Sequence, residues 1–149
     1  CIEDCTVISF YYVRQDGKTT KKTVKPVAIM FSEFYFYLIA FTADDSKDYP
    51  IVFRIDRITD IKKENKKFFI PYRDRFSDSE FRKRIQFMYS GELKKVTFEY
   101  SGVLEAILDR LPTAKILERR GDTYLMTAES YGNGIYMWLR AQGDKAKIL

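Results

Sequence analysis

The chain has 149 residues, of which 46% are hydrophobic and 16% aromatic, and its formal net charge is +5. This length fits one ordinary domain or two small ones, and so apolar a composition excludes a disordered chain. Histidine is absent, which removes the commonest general base and the commonest zinc ligand, so hydrolytic enzymes are strongly disfavoured. The excess of positive charge permits an anionic partner without requiring one.

The two cysteines, Cys1 and Cys5, lie close together and cannot link distant parts of a fold. Because the sequence has no other cysteine and no histidine, the pair indicates reduced thiols rather than a metal site, and it favours a cytoplasmic protein. No apolar run is long enough for a membrane helix and no signal peptide is visible, so we expect a soluble chain with no membrane partner. The sequence begins without Met, and we expect it to be part of a longer protein.

The beginning of the chain predicts a β-hairpin. Residues 6–14 are β-branched and aromatic, which is typical of a strand, and Asp16-Gly17 is a strong hairpin turn signal. Residues 19–30 then pair back as the second strand. Pro26 cannot donate to a sheet ladder, so this strand is expected to bend or to lie at an edge there.

Three further strands are predicted next, at residues 34–41, 51–58 and 58–64. If the strand 51–58 is regular, Arg54 and Arg57 face opposite sides of it. The basic run at residues 62–67 is typical of a solvated connector. Five short strands with hairpin connections predict a small closed barrel.

The pattern changes period after a boundary at residues 71–78, where Ser77 or Ser79 is placed to cap a short helix that ends by Ser90-Gly91. The remaining predicted elements are a strand at 93–100, a helix capped by Ser101 that ends at Pro112, strands at 114–118 and 123–128, a helix at 133–142 and a strand from 145 onward. This β-α-β-β-α-β order is that of the ferredoxin-like fold.

Three segments resemble successive signatures of the WYL domain: Lys-Thr-Val-Lys-Pro at 22–26, Phe-Tyr-Leu-Ile-Ala at 36–40 and Phe-Arg-Ile-Asp-Arg-Ile at 53–58. The second half, with Trp138-Leu139 in its last helix, resembles the C-terminal extension that follows WYL domains in bacterial transcription regulators. The resemblance implies a five-stranded Sm-like barrel that acts as a sensor of nucleic acid or nucleotide-type ligands. It also implies an N-terminal helix-turn-helix, absent from this sequence, that contacts promoter DNA.

The expected fold is therefore mixed α and β. Residues 1–72 are expected to form a WYL-type Sm-like β-barrel, residues 73–91 a linker with a short helix, and residues 92–149 a ferredoxin-like extension. The sequence departs from the family pattern in three places, with Phe36 for the tryptophan, Lys22 for an arginine and Ile51 for another arginine. The pocket is thus expected to be less basic than is usual in the family.

The arginines in the strand 51–58 indicate a binding site. A buried, unpaired charge is costly, so Arg54 and Arg57 require either a carboxylate or an anionic ligand. Asp56 is the simplest internal partner, and three other aspartates, Asp44, Asp45 and Asp48, are near in sequence. Both solutions stay open at this point. The predicted ligand-binding residues are Tyr12, Lys22, Tyr37, Arg54 and Arg57, with no catalytic residue, metal or cofactor.

The sequence thus favours the effector-sensing, ligand-binding region of a transcriptional regulator, with a nucleotide or single-stranded nucleic acid as its ligand and a homodimeric assembly. The alternative is an oligomerisation platform with no small ligand, in which the arginines are satisfied internally and the exposed sheet edges of the second half pair between protomers. An enzyme is the least favoured class, because the sequence has no phosphate-cradling glycine-rich loop and no metal-ligand cluster.

Overall fold

The computed structural model describes residues 2–71 and 75–149. The chain divides into two compact units, Cys1–Phe76 (unit 1) and Ser77–Leu149 (unit 2). Each unit contains one antiparallel sheet, so the fold is mixed α and β with most of its regular structure in strands. None of the described helices has the length and apolar character needed to cross a membrane. The predicted domain limit between residues 72 and 73, and the predicted thiol of Cys1, lie outside the described residues.

Unit 1 contains five strands, β1 (Thr6–Val13), β2 (Thr19–Ser32), β3 (Tyr35–Thr42), β4 (Ile51–Arg54) and β5 (Ile58–Lys67). Their order in the sheet is β4-β3-β2-β1-β5, and all neighbours are antiparallel. The predicted first hairpin is confirmed. In the described part of the chain, β4 and β5 are the two edges and do not pair with each other, so the predicted closed barrel is not formed.

Pro26 lies in the middle of β2, which is the central strand of the sheet. The register with β3 shifts between Pro26 and Ala28, as expected for a residue without an N–H in a ladder. Of the two predicted solutions, the strand therefore bends and is not an edge. The bend allows the first half of β2 to pair with β1 and the second half to pair with β3.

The fourth strand is shorter than predicted. It ends at Arg54, and a three-residue 3-10 turn, Ile55–Arg57, leads directly into β5. The reason is topological, because the chain must leave one edge of the sheet and join β1 at the other edge. The predicted connector at residues 62–67 belongs to β5, although its lysines are exposed as expected.

One face of the unit 1 sheet carries the hydrophobic core, and we call it the core face. Its buried side chains are Ile8, Phe10, Val24, Leu38, Ala40 and Phe53. The rings of Phe10 in β1 and Phe53 in β4 meet edge to face, with centroids 5.2 Å apart. Because β1 and β4 are not neighbours in the sheet, this contact requires the sheet to curve strongly. Met30 and Ile39 are also buried, so the middle of β3 is covered on both sides as predicted, whereas Tyr35 and Phe36 at its start are exposed.

Unit 2 contains α1 (Asp78–Arg82), β6 (Leu93–Tyr100), α2 (Leu104–Arg110), β7 (Lys115–Arg120), β8 (Thr123–Tyr131), α3 (Gly134–Ala141) and β9 (Ala146–Ile148), with a 3-10 turn at Gly143–Lys145 before β9. The predicted β-α-β-β-α-β order is present from β6 to β9. The sheet order is β7-β8-β6-β9. Its core joins α2 and α3 to the sheet. The fully buried side chains are Phe98, Ile107, Met126, Ile135 and Leu139.

Two helix boundaries differ from the prediction. The hydroxyl of Ser77, one of the two predicted caps, caps α1 by accepting a hydrogen bond from the Glu80 N–H. The helix itself is shorter than predicted and ends at Arg82. The N-cap of α2 is Val103 and not Ser101. The Ser101 N–H and hydroxyl instead donate to the carbonyl of Lys145, just before β9. Ser101 therefore makes a tertiary contact and does not cap the helix.

Candidate functional site

Strands β3 and β4 place two of the predicted residues side by side. Tyr37 and Arg54 are direct partners in the antiparallel register. The adjacent pair, Leu38 and Phe53, belongs to the core face, so alternation puts Tyr37 and Arg54 on the opposite face. The Arg54 side chain is only 23% exposed, which makes its charge costly unless it is compensated.

Tyr35, which the prediction omitted, lies against the Arg54 guanidinium. The guanidinium carbon is 3.6 Å from the centroid of the Tyr35 ring, a distance well within the range of a cation–π contact. Because side chains alternate along a strand, Tyr35 lies on the same face as Tyr37. The sequence pattern could therefore have predicted Tyr35 as a site residue. The aromatic ring supports one flat side of the guanidinium and fixes its orientation.

Asp56 supplies the counter-charge of Arg54. The Nε of Arg54 donates to one carboxylate oxygen at 3.0 Å, and an Nη donates to the other at 2.6 Å. These hydrogen bonds are the main reason why the pKa of Asp56 is lowered and the pKa of Arg54 is raised. The internal partner that the sequence left open is therefore Asp56. Tyr35, Tyr37, Arg54 and Asp56 together are called the Arg54 cluster.

Tyr37 remains a neutral phenol in this setting. Burial raises its pKa, and the positive charge of Arg54 opposes this effect only in part. A neutral phenol both donates and accepts hydrogen bonds. Tyr37 can thus offer a hydroxyl donor to an anion beside the guanidinium.

Tyr12 contacts the backbone of Arg54 and not its side chain. The Arg54 N–H donates to the Tyr12 hydroxyl at 3.1 Å, and the Tyr12 ring packs edge to face on Phe53 with centroids 5.1 Å apart. Since β4 is an edge strand, this hydroxyl satisfies a backbone donor that no neighbouring strand pairs. Tyr12 therefore holds the end of β4 in place from the core face.

Lys22 lies apart from the Arg54 cluster. It pairs in register with Phe10, so it projects from the core face and is half-buried. In the described part of the chain, no hydrogen bond or ion pair connects Lys22 with the other four predicted residues. The structure brings Tyr37 and Arg54 together, places Tyr12 behind them, and leaves Lys22 on the other face of the sheet.

Arg57 ends the 3-10 turn and is half-buried. Its positive charge makes a minor contribution to the low pKa of Asp56, and its guanidinium makes no hydrogen bond or ion pair with any other described residue. Because the strand ends at Arg54, the alternation that put Arg54 and Arg57 on opposite faces does not apply. The turn decides where Arg57 lies.

An apolar groove of approximately 480 Å³ opens on the core face, separate from the Arg54 cluster. Its walls include Ile8, Ile29, Leu38, Ile55 and Ile61, and Glu3 and Asp4 also line it. None of the five predicted residues lines this groove. The groove lacks the cationic groups that an anionic ligand requires, so it is not the site that the sequence predicts.

Residues 1–63 match the family model of the WYL domain. The resemblance carried by the segments 22–26, 36–40 and 53–58 is thereby confirmed for this part of the chain. The whole of the Arg54 cluster lies within it.

The solved structure of proteasome accessory factor B/C (PafBC) of Arthrobacter aurescens is similar to this chain, with 16% sequence identity and a TM-score of 0.46. The match covers 99% of this chain, which spans 23% of the other chain. No curated protein matches the sequence.

Proposed function

We propose that unit 1 is the effector-sensing region of a bacterial transcriptional regulator and that it binds a nucleotide or single-stranded nucleic acid at the Arg54 cluster. The observation that carries the proposal is the guanidinium of Arg54, which lies over the Tyr35 ring and belongs to the residue paired in register with Tyr37. A planar guanidinium fixed in this way recognises phosphate through paired hydrogen bonds, and neighbouring aromatic rings offer surfaces for bases. The match of residues 1–63 to the WYL domain supports a sensing role.

Ligand binding in this proposal acts on a DNA-binding part outside this sequence, which contacts promoter DNA in the cytoplasm. The ligand shifts the population of two arrangements of a homodimer, and so changes how the DNA-binding part is presented. The chain itself performs no catalysis and needs no cofactor. Tyr12 and Arg57 belong to the proposal as residues that shape or extend the site, whereas Lys22 projects from the other face of the sheet and is not part of it.

The proposed domain plan keeps a WYL-type unit at residues 1–72, a linker with a short helix at 73–91 and an extension at 92–149. An Sm-like arrangement of unit 1, open between β4 and β5, is supported by its strand order and by the 3-10 turn between them. A ferredoxin-like arrangement of unit 2 is supported by its element order and by the sheet order β7-β8-β6-β9.

The test is a fluorescence-anisotropy titration with labelled nucleotides and oligonucleotides. Arg54→Ala should weaken binding at least about tenfold, since a charge-assisted hydrogen bond contributes roughly 1.5–3 kcal/mol. Arg57→Ala should weaken it less. Arg120→Ala is the matched control, because Arg120 is a paired arginine in unit 2, and it should leave binding unchanged. Unchanged binding in both Arg54→Ala and Arg57→Ala would show that the site is assigned wrongly.

An oligomerisation platform is the second candidate, and exposed apolar side chains favour it. Leu117, in the edge strand β7, is 57% exposed. In unit 1, Phe34 is 85% exposed at the tip of the β2–β3 hairpin. Light scattering together with the anisotropy titration distinguishes the candidates, for the wild type beside Leu117→Lys and Phe34→Asp. A platform loses its oligomer in one of these variants and binds no labelled ligand even as the wild type, whereas ligand binding at the Arg54 cluster persists in both variants.

A further inference from the structure

Asp56 occupies the part of Arg54 that a phosphate ligand would use. Its two oxygens accept from the Nε and one Nη, at 3.0 and 2.6 Å, which is the side-on geometry of an arginine with a bidentate oxyanion. Tyr35 covers a flat side of the same guanidinium. The carboxylate therefore stands in the position of a ligand's oxygen pair.

The place of Asp56 in the fold makes it easy to displace. Its side chain is 53% exposed, and no residue of the turn Ile55–Arg57 is buried. Arg54 lowers the pKa of this carboxylate more than the Asp56 backbone N–H and the charge of Arg57 do, so Arg54 is its main partner. An exposed ion pair is worth only a small stabilisation, so an incoming anion loses little by replacing it.

We propose that Asp56 is an intramolecular competitor for Arg54, and that this competition lets a terminal phosphate monoester bind where a weaker oxyanion does not. This inference rests on the proposed function. A phosphodiester carries one negative charge, as the Asp56 carboxylate does, and so gains little by exchange. A phosphate monoester carries close to two negative charges at neutral pH and has three acceptor oxygens, so it displaces the carboxylate with a net gain. A free nucleotide or the phosphorylated end of a strand is favoured over the interior of a strand.

Asp60 provides a matched control for the test. It lies a few residues further on, in β5, and is exposed. In the described part of the chain it makes no hydrogen bond or ion pair with Arg54. Its φ of +54° is in the left-handed region, which asparagine tolerates well. Asp60→Asn therefore removes the same charge as Asp56→Asn from the same part of the molecule without releasing Arg54.

The experiment compares a short oligothymidylate, labelled at its 3′ end, with and without a 5′-phosphate, by anisotropy on the full chain. The wild type should bind the 5′-phosphorylated strand at least about threefold more tightly. Asp56→Asn should bind both strands about two- to fivefold more tightly than the wild type, the range that corresponds to the loss of an exposed ion pair. Because a competitor weakens every ligand of Arg54 by the same factor, the ratio of the two affinities should stay the same. Asp60→Asn should bind both strands with the affinity of the wild type.

Three results would overturn the inference. Weaker binding in Asp56→Asn would mean that Asp56 positions Arg54 for the ligand. Equal effects of Asp56→Asn and Asp60→Asn would mean that only the overall charge matters. Equal affinity of the wild type for both strands, with binding lost in Arg54→Ala, would contradict the preference for a terminal phosphate. The proposed function would be left intact. If neither strand binds to the wild type or to Asp56→Asn, the proposed function fails together with the inference.

Discussion

Arg54 is held by three different groups, each from another part of unit 1. Tyr35 lies against the guanidinium, Asp56 accepts two of its hydrogen bonds, and the Tyr12 hydroxyl accepts the backbone N–H. The first two contacts orient the charge, and the third fixes the strand from which the side chain projects. A side chain restrained in this way loses little conformational entropy when it binds a ligand.

Tyr12→Phe should destabilise the protein by about 1 kcal/mol, because it leaves the Arg54 N–H at the edge of the sheet without its acceptor. The free energy of unfolding, measured by urea denaturation, tests this expectation. Tyr11→Phe is the control: Tyr11 is the adjacent tyrosine, its side chain is exposed, and its hydroxyl makes no hydrogen bond among the described residues. Equal stability of the two variants would contradict the structural role of Tyr12.

The pKa of Asp56 should rise in Arg54→Ala toward its ordinary value of 3.8, because the hydrogen bonds from Arg54 are the main cause that lowers it. The pKa of Asp56 is depressed in the folded state, so the ion pair contributes its full stabilisation at pH values above the ordinary pKa. This stabilisation is lost as the pH falls through the depressed pKa. Carbon-13 NMR of the Asp56 carboxyl follows the titration. Arg57→Ala should raise the pKa less, and a larger rise there would reverse the assigned causes.

At this scale the sequence identifies some of the site and misses the rest for physical reasons. Arg54 and Tyr37 share a face because both strands are regular up to that point, so the period of a strand suffices to place them. Arg57 was not predictable in the same way, because the 3-10 turn depends on where β5 must join the sheet. Lys22 belongs to a matching family segment, yet its register with Phe10 sends it to the core face.

Among the structural elements, α3 begins at a close approach between backbones. A Cβ on Gly134, its first residue, would overlap the carbonyl oxygen of Gln86, far inside van der Waals contact. The Gln86 side-chain amide donates to the Arg110 carbonyl at the end of α2. The segment after α1 thus connects the beginning of α3 with the end of α2.

Gly134→Ala should lower the melting temperature and cost about 1–3 kcal/mol, the usual range for overpacking, although alanine is the better helix former. Thermal unfolding followed by circular dichroism measures the effect. Arg140→Ala, an exposed position on the same helix, serves as the control and should have little effect. A Gly134→Ala protein as stable as the wild type would show that the contact with Gln86 is not tight.

The elements themselves were largely predictable, whereas their ends and their closure were not. β6, β8 and the first hairpin follow from β-branched and aromatic periodicity, which local sequence determines. The cap of α2 moved from Ser101 to Val103 because the carbonyl of Lys145 takes the Ser101 donors. The barrel remains open because β4 has only four residues and pairs with β3 alone, a consequence of tertiary structure that no local pattern encodes.

For the molecule as a whole, the two compact units contain different features. Unit 1 contains the WYL match and the Arg54 cluster, and unit 2 contains a separate core around Phe98, Met126 and Ile135. The proposed ligand contacts all lie in unit 1. Unit 2 is therefore expected to take no direct part in ligand binding.

The most direct test of this account is a map of backbone amide NMR shifts on adding a 5′-phosphorylated oligothymidylate to the isotope-labelled protein. The account predicts that the largest shifts occur at Tyr35, Tyr37, Arg54 and Asp56 and along the turn to Arg57. Amides of the unit 2 sheet, such as that of Thr127, should change least. Largest shifts in unit 2, or saturating binding that leaves the Arg54 cluster unshifted, would contradict it.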